Sequence, residues 1–254
     1  MVGRGTAVPT GGKLGDERGV DKGYRSGVTD VIAHRGASRL ALENTTAAFE
    51  LAVALGAQGV ELDVRLTADG VVVIHHDAVL PDGRVIAATR WRDLPDHVPT
   101  LGEGLDSCVG AWVNIEIKNS PREPDFNPAD RLAVEVLAHL AERGPGRWLL
   151  SSFRLETVDR CHLVAPEVPT AWLTQSVDRD TPTELARRGH TAVHPWEPAI
   201  TADVVERCHD VGILVNGWTC NVPARFLELA AAGIDGLCTD APDVMLAALA
   251  AAAP

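Results

Sequence analysis

The sequence predicts an α/β fold: a (β/α)8 barrel with a short β-hairpin arm after its second strand. Three observations carry that expectation. From residue 28 onward, apolar β-branched runs alternate with Ala/Leu-rich stretches, the pattern of parallel strands joined by crossover helices. Nine strand candidates occur, at 31–34, 59–64, 71–76, 112–117, 148–153, 170–173, 191–194, 213–218 and 236–239. The second and third are separated only by Leu66-Thr67-Ala68-Asp69-Gly70. That is too short for a crossover helix, and Asp-Gly is a hairpin turn signal.

Setting the return arm aside leaves eight parallel strands. Eight helical stretches accompany them, at 44–55, 101–109, 128–143, 155–164, 181–188, 202–211, 223–232 and 242–250. Asn44 or Thr45 is placed to cap the first helix, and Gly233 ends the seventh before the last strand. Eight of each fits a closed barrel with its helices outside. An open doubly wound sheet is the alternative, but no G-x-G-x-x-G follows the first strand. Closing the hairpin symmetrically about residues 68–69 pairs Leu66 with Val71 and Glu61 with His76.

Composition narrows the function. The chain has 254 residues and a net charge of −12, which disfavours nucleic acid as a partner, because phosphate backbones are held by clustered Lys and Arg. A local positive site for a small phosphate ester remains compatible with it. The five cysteines (108, 161, 208, 220 and 238) are scattered, with no C-x-x-C pair, as in a reduced cytoplasmic protein. No apolar run reaches the ~18 residues of a membrane span. The Gly-rich, charged stretch 1–27 reads as a disordered leader without the apolar segment of a secretory signal. One domain is expected over 28–254.

Catalytic groups of such barrels stand at the C-terminal ends of the strands. There the chain places His34-Arg35, Glu61-Leu62-Asp63, His75-His76-Asp77 and Glu116-Ile117-Lys118. Side chains alternate along a strand, so Glu61 and Asp63 share a face, as do Glu116 and Lys118, and His75 should point away from His76. Three carboxylates buried together repel and lose solvation, which a divalent cation relieves. With no Cys ligand among them, the set suits a hard ion: Mg2+ or Ca2+, with Mn2+ as a third choice. Arg35 and Lys118 complete a phosphate site. His34 and His76 remain as an acid–base pair, since histidine titrates near neutral pH. On assumed charges, the site is balanced only with both a divalent cation and a phosphodiester present.

These residues resemble those of the glycerophosphodiester phosphodiesterase family. The resemblance runs through His34-Arg35-Gly36-Ala37, Glu43-Asn44-Thr45, Glu61-Leu62-Asp63-Val64, His76-Asp77, Glu116-Ile117-Lys118, Trp218-Thr219-Cys220-Asn221 and Gly233 to Asp240. It implies a barrel phosphodiesterase that releases glycerol 3-phosphate and an alcohol through a cyclic phosphate. It implies that Glu61, Asp63 and Glu116 hold the metal and that His34 and His76 are acid and base. Arg35 and Lys118 would contact phosphate, and Trp218 would wall the pocket.

The chain departs from the family pattern after His76-Asp77, where the Arg-Thr-Thr word following the leucine is missing and the segment 78–99 is short. A lysophospholipase D or sphingomyelinase D type activity on the same barrel is the rival reaction. The Glu116-Ile117-Lys118 word and the scarcity of aromatics for an apolar rim weigh against it. Intact histidines and metal ligands weigh against an inactive barrel serving as a binding module.

Overall fold

A computed structural model describes residues 29–252; the stretch 1–27, read as a leader, lies outside the described residues. Among these residues the chain forms nine strands and eight α-helices. The strands are β1 (Asp30–His34), β2 (Gly59–Leu66), β3 (Val72–Ile74), β4 (Trp112–Ile117), β5 (Trp148–Ser152), β6 (Thr170–Thr174), β7 (Ala192–Pro195), β8 (Leu214–Gly217) and β9 (Gly236–Thr239). The helices are α1 (Thr46–Leu55), α2 (Leu101–Ser107), α3 (Arg131–Arg143), α4 (Leu155–Val164), α5 (Thr181–Arg188), α6 (Ala202–Asp210), α7 (Pro223–Ala231) and α8 (Pro242–Ala252).

All strands but β3 run parallel, in the order β1-β9-β8-β7-β6-β5-β4-β2, and β1 pairs with β2 to close the ring. The eight-stranded parallel barrel is therefore as expected, and β3 returns antiparallel along β2. Its register differs from the symmetric hairpin by one residue: Leu66 pairs with Val72 and Val64 with Ile74. The cause is a three-residue loop. Thr67 N donates to the Val71 carbonyl at 3.0 Å, and Gly70, at φ 83°, takes the left-handed position that such a loop requires. Glu61 is thus not the ladder partner of His76. The arm is also shorter than 71–76, because β3 ends at Ile74.

Two helix starts differ from expectation for local reasons. Asn44 sits at φ 56° and Thr45 is the cap, accepting from Ala48 N at 3.3 Å, so α1 begins at Thr46. Asp130 sits at φ 54° with its carboxylate bound by Arg154 Nη1 at 2.9 Å, so α3 begins at Arg131.

Inside the barrel, Ile32, Trp112, Leu149, Ala171, Ala192, Leu214 and Cys238 form an apolar plug. The indole of Trp112 donates to Asp30 Oδ2 at 2.9 Å, which lets a large ring sit in the floor with its one polar atom paired. The apolar faces of the helices seal the outside of the ring against two large clusters centred on Phe49 and Phe226.

His194 of β7 is buried, and Asn216 Nδ2 donates to its Nε2 at 3.0 Å. Burial pushes its pKa down to about 3 from 6.5, so it stays neutral. Below pH ~6.5 the unfolded chain binds a proton at this residue that the folded chain refuses, and stability falls with pH by about 1.4 kcal/mol per unit. Urea unfolding of His194→Gln should show an acid limb flatter by that slope between roughly pH 6 and pH 4.

Candidate active site

The carboxylates come together because β2 and β4 are neighbours in register. Asp63 lies beside Glu116 in the ladder, and His34 lies beside Glu61 on the other flank of β2. Glu61, Asp63 and Glu116 are 3%, 1% and 7% exposed, and one oxygen from each lies within 4.8 Å of the others. Such a cluster can hold a divalent cation. The Glu61 Oε1 atom is buried with no hydrogen-bond partner, as a ligand atom would be, and the all-oxygen donor set suits a hard ion.

Positive groups surround the cluster. Lys118 Nζ stands 2.9 Å from Asp63 Oδ1 and 2.6 Å from Glu116 Oε1. Arg35 Nε is 3.3 Å from Asp63 Oδ2, and Arg35 Nη1 pairs with Glu43 at 2.9 Å. The Arg35 backbone N–H donates to Glu61 Oε2 at 2.9 Å. Arg35 does so from φ 58°, and Gly36 follows it with a backbone that packs on Ala48, where a Cβ would lie 2.6 Å from the Ala48 carbonyl carbon.

The two acidic residues of β2 separate electrostatically. Burial, then the neighbouring Asp63, pushes Glu61 up. Burial also opposes ionisation of Asp63, but Lys118 and Arg35 outweigh it and hold that carboxyl well below the usual range. Asn44 adds to this: its amide donates to Asp63 Oδ2 at 2.8 Å.

Each histidine has an aspartate on Nδ1. His34 Nδ1 meets Asp240 Oδ1 at 2.6 Å, and His76 Nδ1 meets Asp77 Oδ1 at 2.7 Å. Burial works against protonation of His34, yet Asp240 and Glu61 prevail and raise its pKa. Asp240 is held in turn by Asn221 Nδ2 at 2.5 Å and Ser38 Oγ at 3.3 Å. A carboxylate on Nδ1 fixes the tautomer and leaves Nε2 for proton transfer.

His76, Glu116 and Lys118 line a cavity of about 490 Å3, with Glu123, Phe153 and Trp172 on its far walls. A second cleft of about 470 Å3 lies on the other side of His76, lined by Glu43, Asn44, His75 and Asp77. His75 lines that second cleft but not the cavity that His76 shares with Glu116 and Lys118, and its Nδ1 meets the Asp77 carbonyl at 2.9 Å. Trp218 meets Phe153, a lining residue of the first cavity, edge-on at 5.2 Å, and its indole donates to the His194 carbonyl at 2.7 Å.

Seven of the eight residues singled out in the sequence therefore converge, and Trp218 packs against Phe153 of the cavity wall. Sequence reasoning passed over Asp240, Asp77, Asn44 as a partner of Asp63, and the buried Arg65. Asp240 had a signal: it continues the inward series 236, 238, 240, and a closed barrel makes β9 the neighbour of β1. The apolar rim was also missed. Exposed Leu40, Leu42, Val79, Phe153, Trp196 and Val222 all lie on loops that leave the C-terminal ends of strands.

The family model for the glycerophosphoryl diester phosphodiesterase family matches residues 34–244. The chain belongs to that family. It is 30% identical to a glycerophosphodiester phosphodiesterase of Caldanaerobacter subterraneus over 241 residues, covering 86% of this chain and 96% of that one. Among solved structures, a glycerophosphodiester phosphodiesterase from Parabacteroides distasonis superposes with a TM-score of 0.75 at 28% identity, covering 88% and 97% of the two chains. A phosphodiesterase of Oleispira antarctica, solved with the product sn-glycerol-3-phosphate, gives 0.80 at 25% identity over 88% and 97%. As a member of this family the protein is a phosphodiesterase of the glycerophosphodiester class. No helix among the described residues is long and apolar enough to cross a membrane.

Asp240→Asn keeps the volume of the side chain but lets an amide N–H compete for His34 Nδ1. Its kcat should fall by about 100-fold with a near-native far-UV spectrum, as expected for loss of tautomer control. Steady-state kinetics beside circular dichroism check this.

Proposed function

We propose that the protein hydrolyses a glycerophosphodiester to glycerol 3-phosphate and an alcohol, with His34 and His76 sharing the proton transfers. The observation that carries this is the pair of aspartate-backed histidines flanking three buried carboxylates, with Arg35 and Lys118 alongside. Arg35 and Lys118 bind and orient the phosphoryl oxygens. One histidine takes the proton of the neighbouring glycerol hydroxyl as its oxygen forms a bond to phosphorus. The other gives a proton to the alkoxide as the P–O bond to the alcohol breaks. Water then opens the cyclic phosphate, with the two histidines exchanging roles. The tethered hydroxyl gives the first step the advantage of proximity.

Glu61, Asp63 and Glu116 would hold one divalent cation, Mg2+ or Ca2+ before Mn2+. When bound, the cation supplies charge for the phosphoryl oxygens and acidifies a hydroxyl in contact with it. The substrate is a small phosphodiester, and the five buried free cysteines fit action in the reducing cytoplasm.

A second reading, lysophospholipase D type cleavage, is favoured by the exposed apolar side chains on the rim loops, which could accommodate the acyl chain of a lysophospholipid.

The test is an assay of glycerophosphocholine, glycerophosphoethanolamine and lysophosphatidylcholine with and without EDTA, in wild type, His34→Ala and His76→Ala. Glycerol 3-phosphate should form from the first two, stop on chelation, and fall by at least about 100-fold in each variant. Activity that survives both chelation and substitution would sink the mechanism. Acyl-glycerol 3-phosphate formed faster than glycerol 3-phosphate would favour the second reading.

A further inference from the structure

Arg65 is fully buried, at 0% exposure, three residues before the hairpin loop is reached. Its Nε donates to the His76 carbonyl at 2.8 Å, and Nη2 donates to the same oxygen. Its other contacts are carboxylates: Nη1 reaches Asp125 at 2.6 Å, and Nη2 reaches Glu123 at 3.0 Å. Both acids lie on the loop between β4 and α3, and Glu123 lines the 490 Å3 cavity. A guanidinium taken wholly out of water needs such compensation.

The atom it grips matters. His76 and Asp77 are consecutive, so the ring–carboxylate contact at 2.7 Å depends on the orientation of the peptide between them. The carbonyl of that peptide is the one Arg65 holds. The sheet cannot do this work: the last pairing contact of the arm is His75 N to the Asp63 carbonyl at 2.9 Å, and β3 ends at Ile74. Beyond it the chain leaves the sheet, with the His76 ring about one-third exposed.

We infer that Arg65 is a positioning residue for His76: its buried guanidinium fixes the His76–Asp77 peptide and couples the loop after β4 to that histidine. The role rests on the proton-transfer reading of His76. Planar, two-pronged donation to one oxygen also separates Arg from Lys at this place, since an ammonium is a point donor without the fork.

A double-mutant cycle tests it with glycerophosphocholine as substrate. Arg65→Gln should lower kcat about 30-fold with KM within about twofold, and Arg65→Lys should restore part of the loss. In a His76→Ala background, Arg65→Gln should cost no more than about twofold further, because a residue acting through His76 has nothing left to position. Mg2+ affinity by calorimetry should match wild type in Arg65→Gln, since the three carboxylates are held by other groups. If Arg65→Gln does not fold, Glu123→Gln with Asp125→Asn, which unseats the guanidinium while keeping it, enters the same cycle.

A full-sized loss persisting without His76, weakened Mg2+ binding, or kcat within twofold of wild type would overturn the inference. Full activity of His76→Ala alone would instead remove the reading of His76 on which it stands, and the cycle separates the two results.

Discussion

Three carboxylates buried within 4.8 Å of one another at the mouth of a barrel are the constraint on which the rest of the structure depends. Alone they would not all ionise, because desolvation and mutual repulsion act in the same direction. The protein answers unevenly. Asp63 receives Lys118, Arg35 and the Asn44 amide and is held ionised. Glu61 receives only a backbone N–H on one oxygen, and burial with Asp63 nearby pushes it up. The shortfall of positive charge sits at Glu61, and a divalent cation held by the three carboxylates would supply it.

Meeting that constraint shapes the backbone. The turn after β1 brings Arg35 and Asn44 into left-handed conformations, at φ 58° and 56°, which non-glycine residues adopt at a cost of about 1 kcal/mol or more each. Each has a return. Arg35 delivers its N–H to Glu61, and Asn44 turns its amide to Asp63, whose own N–H donates to Asn44 Oδ1 at 3.3 Å. A hydrogen bond from Asn44 N to the Arg35 carbonyl at 3.0 Å closes the loop on itself. The strain is thus located where the charges must be placed, and it shortens α1 by two residues relative to its periodic pattern.

Much of this was legible in the sequence. Strand alternation is a strict period of two, so the shared face of Glu61 and Asp63 followed from spacing, and His34, His76 and Glu116 followed from strand ends. The errors lie where spacing loses its meaning. The hairpin register slipped because Gly70 lets a three-residue loop replace a symmetric turn. Arg65 has the parity of Glu61 and Asp63, yet a basic residue near a strand end reads as solvent-exposed. Its burial is decided by Glu123 and Asp125, on an irregular loop about 60 residues away that has no period to read. The rim escaped notice because it is built mainly from Leu and Val, which composition assigns to the core.

The two histidine–aspartate contacts arise in opposite ways. His34 and Asp240 are 206 residues apart and meet only because the last strand closes onto the first. Their contact reports on the whole ring: whatever loosens β1 from β9 moves the carboxylate off the imidazole. His76 and Asp77 are neighbours in the chain, so they remain close in any conformation, and only the torsions between them decide whether the ring is aimed. Closure of the barrel does not set those torsions, because the arm has left the sheet before His76. A local dyad on an unpaired segment needs an external anchor, and a buried guanidinium spanning β2, the arm and the loop after β4 is the anchor this fold provides.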